Sequence, residues 1–150
     1  MIERKIYLAS SWRNVRQPAV VEALRADGHY VYDFRHPWGG DHLGFSWDSI
    51  DREWGTWSRV DFREALHHPI ARAGFASDVA AMKWADACVL LLPCGRSAHL
   101  ELGWMAGTGK QTVVLMEVAE EPELMYGLCD TIALTVDEVL VALRGKEVPR

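Results

Sequence analysis

The sequence predicts an α/β protein built on a parallel sheet, and two βαβ patterns carry that prediction. Near the N-terminus, a strand pattern is followed by a helical pattern and then by a second strand pattern. The same order recurs around Cys88–Leu92, a continuous apolar run typical of a strand that is buried on both faces of a parallel sheet. Such units have right-handed crossovers, and ligands bind beyond the carboxyl ends of their strands.

The first βαβ pattern begins with a predicted strand at Lys5–Ala9. The polar loop Ser10–Asn14 follows, and apolar residues at helical spacing then predict a helix over Val15–Ala26. Pro18 suits the first turn of that helix, and an Asp-Gly pair ends it. The alternating segment His29–Phe34 predicts the second strand.

Between Arg35 and Gly74 the regular pattern is lost in a segment rich in tryptophan. Two short helices are predicted within it, at Ser46–Trp57 and Val60–Leu66. A long irregular insertion in a compact domain is usually a functional loop or lid. We expect most of its tryptophans to form a satellite core, and the open question is whether one of them stacks on a planar ligand. Its histidines lack zinc-type spacing, so no metal is expected.

The rest of the chain returns to alternating helix and strand patterns. A helix over Val79–Ala85, capped by Ser77 or Asp78, is predicted to lead to the central strand Cys88–Leu92. The elements predicted after it are a helix at Ala98–Ala106, a strand at Gln111–Met116, one or two helical turns at Glu120–Gly127, a strand at Thr131–Leu134 and a terminal helix at Val136–Leu143. The total is five strands and about five helices in a single domain, residues 1–150.

The composition excludes several classes of protein. A hydrophobic fraction of 49% and a charged fraction of 25% are ordinary for a globular protein. The net charge of −5 argues against a protein that binds a nucleic-acid polymer through its phosphates, whereas a single nucleoside or nucleotide needs only a local site. The absence of a signal-like or membrane-length apolar segment and the three cysteines without metal spacing predict a reduced, cytoplasmic protein away from membranes. Without a G-x-G-x-x-G motif, no redox cofactor is expected.

The candidate site residues are concentrated in Ala87–Lys110. Glu101 lies near the start of the helix after the buried strand, so its carboxylate is expected to face the crevice beyond the sheet. Most helical glutamates are merely solvated, and the position of this one is the functional signal. Asp78 serves equally well as an N-cap or as a catalytic group. For Cys94, a structural role is favoured over a reactive thiol.

Several features together resemble the nucleoside 2-deoxyribosyltransferase family and its relatives, the deoxynucleoside 5′-monophosphate N-glycosidases. They are KIYLAS at the start, Asp78 near a helix start, Ala-Asp before the apolar strand, and HLELGWMAGTGK after it. The resemblance follows most of the chain in order; it is strongest over Ala76–Lys110 and weakest in the tryptophan-rich insertion. It implies a flavodoxin-like three-layer sandwich with a five-stranded parallel sheet in the order 2-1-3-4-5, which agrees with the element count.

The resemblance also implies roles for individual residues. Glu101 matches the family's nucleophile, Asp78 the aspartate that handles the proton on the base, and Tyr7 a tyrosine that hydrogen-bonds near the nucleophile. Ser10 and the loop after it would line the sugar or phosphate side. The transferases usually carry another aspartate six residues before the nucleophile, where this chain has Gly95. Recognition of the base or sugar must therefore differ here.

The loop before the helix supplies Arg96 and Ser97 next to Gly95, a combination that suits a substrate phosphate at a helix N-terminus. Family members form dimers or larger assemblies in which a neighbour's C-terminal segment completes the pocket. Met125, Tyr126 and Asp130 are the candidates to reach across in this way. A homodimer or higher homo-oligomer is therefore expected, with the number of subunits left open.

These features predict an enzyme that cleaves or exchanges the N-glycosidic bond of a (deoxy)nucleoside or its 5′-monophosphate through Glu101. A 5′-monophosphate N-glycosidase, that is a hydrolase, is the alternative that Gly95 and Arg96 favour. Two other classes stay open. One is a nucleotide-binding or sensing module without turnover, and the other is a TIR-like NAD hydrolase, which the spacing of Asp78 and Glu101 fits less well. The base preference and the choice between ribose and 2-deoxyribose are not readable from the sequence.

Overall fold

The computed structural model describes residues 2–40 and 43–145. Its strands are β1 (Lys5–Ala9), β2 (Tyr30–Tyr32), β3 (Ala87–Leu91), β4 (Gln111–Leu115) and β5 (Thr131–Ala133). Its α-helices are α1 (Gln17–Ala26), α2 (Arg59–Ala65), α3 (Pro69–Trp84), α4 (Arg96–Gly107) and α5 (Val136–Leu143). The strands form one parallel sheet in the order β2-β1-β3-β4-β5, which confirms the predicted fold class and strand order.

The sheet separates two apolar cores, and the alternation of side chains along each strand decides which residue enters which core. On β1, Ile6 and Leu8 pack with α1 and α5, while Tyr7 and Ala9 face α3 and α4. All five residues of β3 are buried, as expected for a central strand covered on both sides. The face of the sheet that carries Tyr7 is therefore the face on which α3 and α4 lie.

The first helix and the second strand are shorter than the sequence predicts. The helix begins at Gln17 rather than Val15, because the loop before it makes its own hydrogen bonds. Buried Asn14 accepts the backbone N–H of Arg16 through Oδ1 at 2.9 Å, and this turn holds the two residues before the helix. Val15 is left 88% exposed. The strand predicted at His29–Phe34 is reduced to the three residues of β2.

The helix before the central strand begins ten residues earlier than predicted. His68 is the N-cap of α3 and accepts the backbone N–H of Ile70 through Nδ1 at 3.1 Å, and Pro69 occupies the first helical turn. Ser77 and Asp78 therefore lie inside the helix, and the prediction that one of them caps it is wrong. Gly74 made this stretch resemble the end of the insertion, although the helix runs through it.

The tryptophan-rich insertion contains less helix than predicted. In place of a helix over Ser46–Trp57 there are two single 3₁₀ turns, Trp47–Ser49 and Trp54–Thr56. Side-chain hydrogen bonds stabilise this local structure: Nε1 of Trp54 donates to Asp48 at 2.8 Å and Nε1 of Trp57 donates to Asp51 at 2.7 Å. The second predicted helix is present as α2, which begins with a capping box between Ser58 and Asp61.

The C-terminal half follows the prediction with small differences. The fourth helix begins at Arg96, two residues before the predicted start, and the segment predicted as helical turns at Glu120–Gly127 is a 3₁₀ helix at Leu124–Leu128. The terminal helix has its predicted bounds, and Thr135 caps it by accepting the backbone N–H of Glu138. No helix within residues 2–40 and 43–145 is both long and apolar enough to cross a bilayer.

Candidate active site

A cleft of about 860 Å³ lies between α3, α4 and the insertion, and it contains the two predicted catalytic carboxyl groups. Asp78 enters it from α3 and Glu101 from α4. On α4 the lining residues Ser97, Leu100, Glu101 and Trp104 recur at helical spacing, so a single face of the helix is turned to the cleft. The rest of the wall is mainly apolar. The sequence predicted both carboxyl groups, and the fold brings them together.

Glu101 has a strongly perturbed carboxyl group. Burial raises the pKa of Glu101 to about 8, and the negative charge of Asp78 adds to the rise. A hydrogen bond from the Tyr7 hydroxyl acts in the opposite direction, because it stabilises the carboxylate form and lowers the pKa. A carboxyl group in such surroundings, inside a cleft, is a candidate for catalysis on physical grounds.

Tyr7 lies on β1 with 1% of its surface exposed, and its hydroxyl points to Glu101. Burial and the charges of Glu101 and Asp78 raise the pKa of Tyr7 far above its usual value. The phenol therefore stays protonated and acts as a hydrogen-bond donor. Tyr7 thus lies next to Glu101, and the role that the resemblance implies for it stays a prediction.

Asp78 is held by a residue that the sequence analysis did not single out, Tyr32. The Tyr32 hydroxyl donates a hydrogen bond to Oδ1 of Asp78 at 2.9 Å and lies 3.0 Å from Oγ of Ser77. Burial raises the pKa of Asp78, and the bond from Tyr32 lowers it. Because Tyr32 is opposite Tyr7 in the register of β1 and β2, the two rings stack with centroids 5.4 Å apart.

The sequence placed Tyr32 within a predicted strand, His29–Phe34, without fixing its partner. The pairing of β1 with β2 in the structure is what brings it beside Tyr7. The two tyrosines are thus adjacent donors, one for each carboxyl group. Burial, and secondarily the charge of Asp78, favour the protonated form of Glu101.

The loop residues predicted to bind the substrate are placed around the start of α4. Gly95 is the N-cap, and Arg96 and Ser97 are exposed in the first turn, where Ser97 also lines the cleft. No acidic residue lies in that first turn. The Ser10 hydroxyl donates to the carbonyl of Leu91 at 2.9 Å, which joins the loop after β1 to the end of β3.

Met125 and Tyr126 lie away from the carboxyl groups of their own chain. They line a separate cavity of about 230 Å³ on another face of α4. Tyr126 is 2.8 Å from Nε2 of His99, whose Nδ1 lies 2.8 Å from the carbonyl oxygen of Gly95. With Nδ1 protonated, His99 donates to Gly95 and accepts from Tyr126. His99 therefore joins the start of α4 to the 3₁₀ helix at Leu124–Leu128.

Cys94 is next to the site but has no activated thiol. Burial, and secondarily the charge of Glu101, raise the pKa of Cys94 to about 12, so the thiol stays protonated at neutral pH. Across the described ranges, no group of three or more His, Cys, Asp or Glu side chains is arranged to hold a metal ion.

Comparison with solved structures identifies proteins of the same fold. A 2-deoxyribosyltransferase from Bacillus psychrosaccharolyticus is 20% identical, with a TM-score of 0.63 over 93% of this chain and 90% of its own. The CMP N-glycosidase BcmB from Clostridium botulinum is 18% identical, with a TM-score of 0.51 over 95% of this chain and 99% of its own. No protein-family profile and no curated protein matches the chain. At these identities the similarity establishes the fold, which is the one that the sequence resemblance predicted.

Proposed function

We propose that the protein is a nucleoside 2-deoxyribosyltransferase-like enzyme that cleaves or exchanges the N-glycosidic bond of a (deoxy)nucleoside or its 5′-monophosphate. The observation that carries the proposal is the pair of carboxyl groups, Asp78 and Glu101, which line one cleft and both have raised pKa values. A retaining glycoside hydrolase likewise needs a nucleophile and a separate acid/base group. The folds of a deoxyribosyltransferase and an N-glycosidase add support.

In the first step, the Glu101 carboxylate attacks the anomeric carbon. A C1′–O bond forms as the C1′–N bond breaks, and the departing base takes a proton from Asp78. Burial, and secondarily the charge of Asp78, favour the protonated form of Glu101 before the reaction. Positive charge that develops at the anomeric carbon favours the Glu101 carboxylate instead, so the proton of Glu101 passes to Asp78. The hydrogen bond from Tyr7 stabilises the Glu101 carboxylate before it attacks.

In the second step, an acceptor releases the sugar from Glu101. Either water or a second base attacks the anomeric carbon, the acceptor's proton passes to Asp78, and the bond to Glu101 breaks. Capture by water makes the protein a hydrolase, and capture by a base makes it a transferase. Exclusion of water from the cleft decides between the two outcomes.

Hydrolysis of a nucleoside 5′-monophosphate is the second candidate, and the start of α4 favours it. Arg96 is a cation at a helix N-terminus, where the helix dipole disfavours positive charge, and no acidic residue in the first turn neutralises it. A phosphate bound there would interact with Arg96 and with free backbone N–H groups. A sensing module without turnover would need neither Asp78 nor Glu101, and a TIR-like NAD hydrolase is the remaining alternative.

We further propose that the chain forms a homodimer or a higher homo-oligomer. Met125 is 58% exposed and lies outside the cleft of its own chain, so it is free to contribute to a neighbour's site. Tyr126 is bonded to its own His99 and would reach across only from its exposed side. Light scattering on the purified protein measures the assembly, and a monomer at micromolar concentration would contradict this proposal.

The function is tested by incubating the protein with nucleosides and nucleoside 5′-monophosphates, with and without a free acceptor base, and by following base release chromatographically. Glu101→Ala is assayed alongside, and we expect release by the wild type but not by the variant. Dependence on the acceptor base separates a transferase from a hydrolase. Tight nucleotide binding without release from any substrate would exclude the enzymatic proposal and favour a sensing module.

A further inference from the structure

The chain has seven tryptophans, and their surroundings differ. Some pack within the protein, whereas others line the cleft where a substrate would bind. Trp54 and Trp57 donate their indole N–H groups to carboxylates within the insertion. Trp38 packs edge-on between Tyr32 and Trp84, with ring centroids 5.1 and 5.6 Å away. The tryptophans that line the cleft with the two carboxyl groups are Trp47 from the insertion and Trp104 from α4.

Trp47 is held firmly by its neighbours, although none of them lies parallel to its ring. The rings of Phe45, Trp57 and Phe62 meet it at centroid distances of 4.8, 5.7 and 5.9 Å and at interplanar angles of 86°, 77° and 69°. Perpendicular contacts of this kind fix the orientation of an aromatic ring. Among the described residues no aromatic ring is stacked parallel to Trp47, and its side chain is only partly buried where it lines the cleft.

The insertion is anchored to α3 close to Asp78. A Cβ atom on Gly74 would lie 2.7 Å from Cβ of Phe45, so the phenylalanine occupies the space that any other residue of the helix would fill. Gly74 is one helical turn before Asp78 and on the same side of α3. This contact explains a glycine inside a helix, where it is otherwise unfavourable. It also sets the position of Trp47 relative to the carboxyl group that would protonate the leaving base.

We propose that Trp47 is the specificity-determining residue that stacks on the nucleobase, and that Phe45, seated on Gly74, positions it. Three observations support this: Trp47 shares the cleft with both carboxyl groups, its ring has no stacked partner among the described residues, and its support contacts α3 beside Asp78. The inference rests on the proposed function, because it assigns the base to the part of the cleft next to Asp78. The sugar would then lie next to Glu101, and the phosphate would lie at the start of α4.

The test compares Trp47→Ala with Trp54→Ala, a matched control in the same insertion whose ring does not line the cleft. For a nucleoside 5′-monophosphate that the wild type cleaves, we expect Trp47→Ala to raise KM about tenfold with little change in kcat. Trp47→Phe keeps an aromatic face and should recover most of the loss. Ribose 5-phosphate has no base, so its inhibition constant should be unchanged by the substitution. Equal effects of Trp47→Ala and Trp54→Ala, or an equal loss of ribose 5-phosphate affinity, would overturn the proposal.

A second variant tests the contact between Phe45 and Gly74 that positions Trp47. Gly74→Ala places a methyl group against Phe45, and we expect it to raise KM for the same substrate while circular dichroism shows an intact fold. An unchanged KM would overturn the positioning role of Phe45. If no substrate is cleaved at all, the proposed reaction fails, but calorimetric binding of the 5′-monophosphates still decides the stacking. Weaker binding to Trp47→Ala than to Trp54→Ala supports the inference, and equal binding refutes it.

Discussion

Replacing Glu101 with glutamine should make the protein inactive and, at alkaline pH, more stable. The amide has nearly the shape of the carboxyl group and still accepts the hydrogen bond from Tyr7, but it carries no charge. Wild-type Glu101 must ionise in a buried site next to the charge of Asp78, which is unfavourable for the folded state. The substitution removes that cost together with the nucleophile.

The size of the effect depends on pH in a defined way. The folded pKa of Glu101 is about 8, above its ordinary value of 4.5, so the unfolded chain loses this proton first as the pH rises. The wild type therefore loses stability relative to the glutamine variant between pH 4.5 and pH 8. The difference should be below about 1 kcal/mol at pH 5, about 3 kcal/mol at pH 7, and at most roughly 5 kcal/mol at pH 9. The last figure is a large part of the stability of an ordinary domain, about 5–15 kcal/mol.

Urea unfolding at pH 5, 7 and 9 measures this difference, with base release assayed on the same samples. Glu22→Gln is the matched control, because Glu22 is exposed and its substitution should leave the pH dependence unchanged. A constant difference between Glu101→Gln and the wild type across this pH range would refute the reasoning. Such a result would mean that the Glu101 carboxyl is solvated and ionises normally in the folded protein.

Three further predictions concern the groups around the carboxyl pair. In Tyr7→Phe the hydrogen bond that lowers the pKa of Glu101 is lost, so the alkaline limb of base release, expected near pH 8 in the wild type, should move to higher pH; an unmoved limb in the kcat/KM profile would contradict this. In Tyr32→Phe the hydrogen bond that lowers the pKa of Asp78 is lost, so the acidic limb of the kcat/KM profile should move to higher pH. A shift of this limb to lower pH would show that the Tyr32 hydrogen bond does not lower the pKa of Asp78. In Arg96→Ala, KM for a nucleoside 5′-monophosphate should rise about tenfold while KM for the unphosphorylated nucleoside stays constant, because a charge-assisted contact to phosphate is lost. Equal changes for both substrates would remove the phosphate role of Arg96.

The strands were predictable because their signals are local. The apolar run of β3 and the bounds of β1 and α5 follow from composition and periodicity, which tertiary contacts did not alter. The start of α3 was not predictable in the same way. Gly74 is a local signal for a break, and the helix continues through it because the Phe45 ring of the insertion fills the space beside the glycine. A contact between segments that are distant in sequence outweighed the intrinsic propensity.

The residues of the candidate site likewise fall into those that the sequence predicted and those that only the fold revealed. Glu101, Asp78 and Tyr7 were identified by a sequence resemblance and by their place in the βαβ pattern. The fold places the two carboxyl groups in one cleft, and buried Tyr7 lies next to Glu101. Tyr32 was missed, because its importance comes from the strand register that stacks it on Tyr7 and directs its hydroxyl to Asp78.

The sequence by itself determined the parallel α/β architecture, the strand order expected from the resemblance, and the identity of two acidic residues that carry the proposed chemistry. The tertiary structure alone decided that these carboxyl groups share a cleft, that their pKa values rise, and that Trp47 rather than Trp54 or Trp57 faces them. The physical reason is that secondary structure responds to neighbours along the chain. Burial, charge coupling and ring packing arise from residues that only folding brings together.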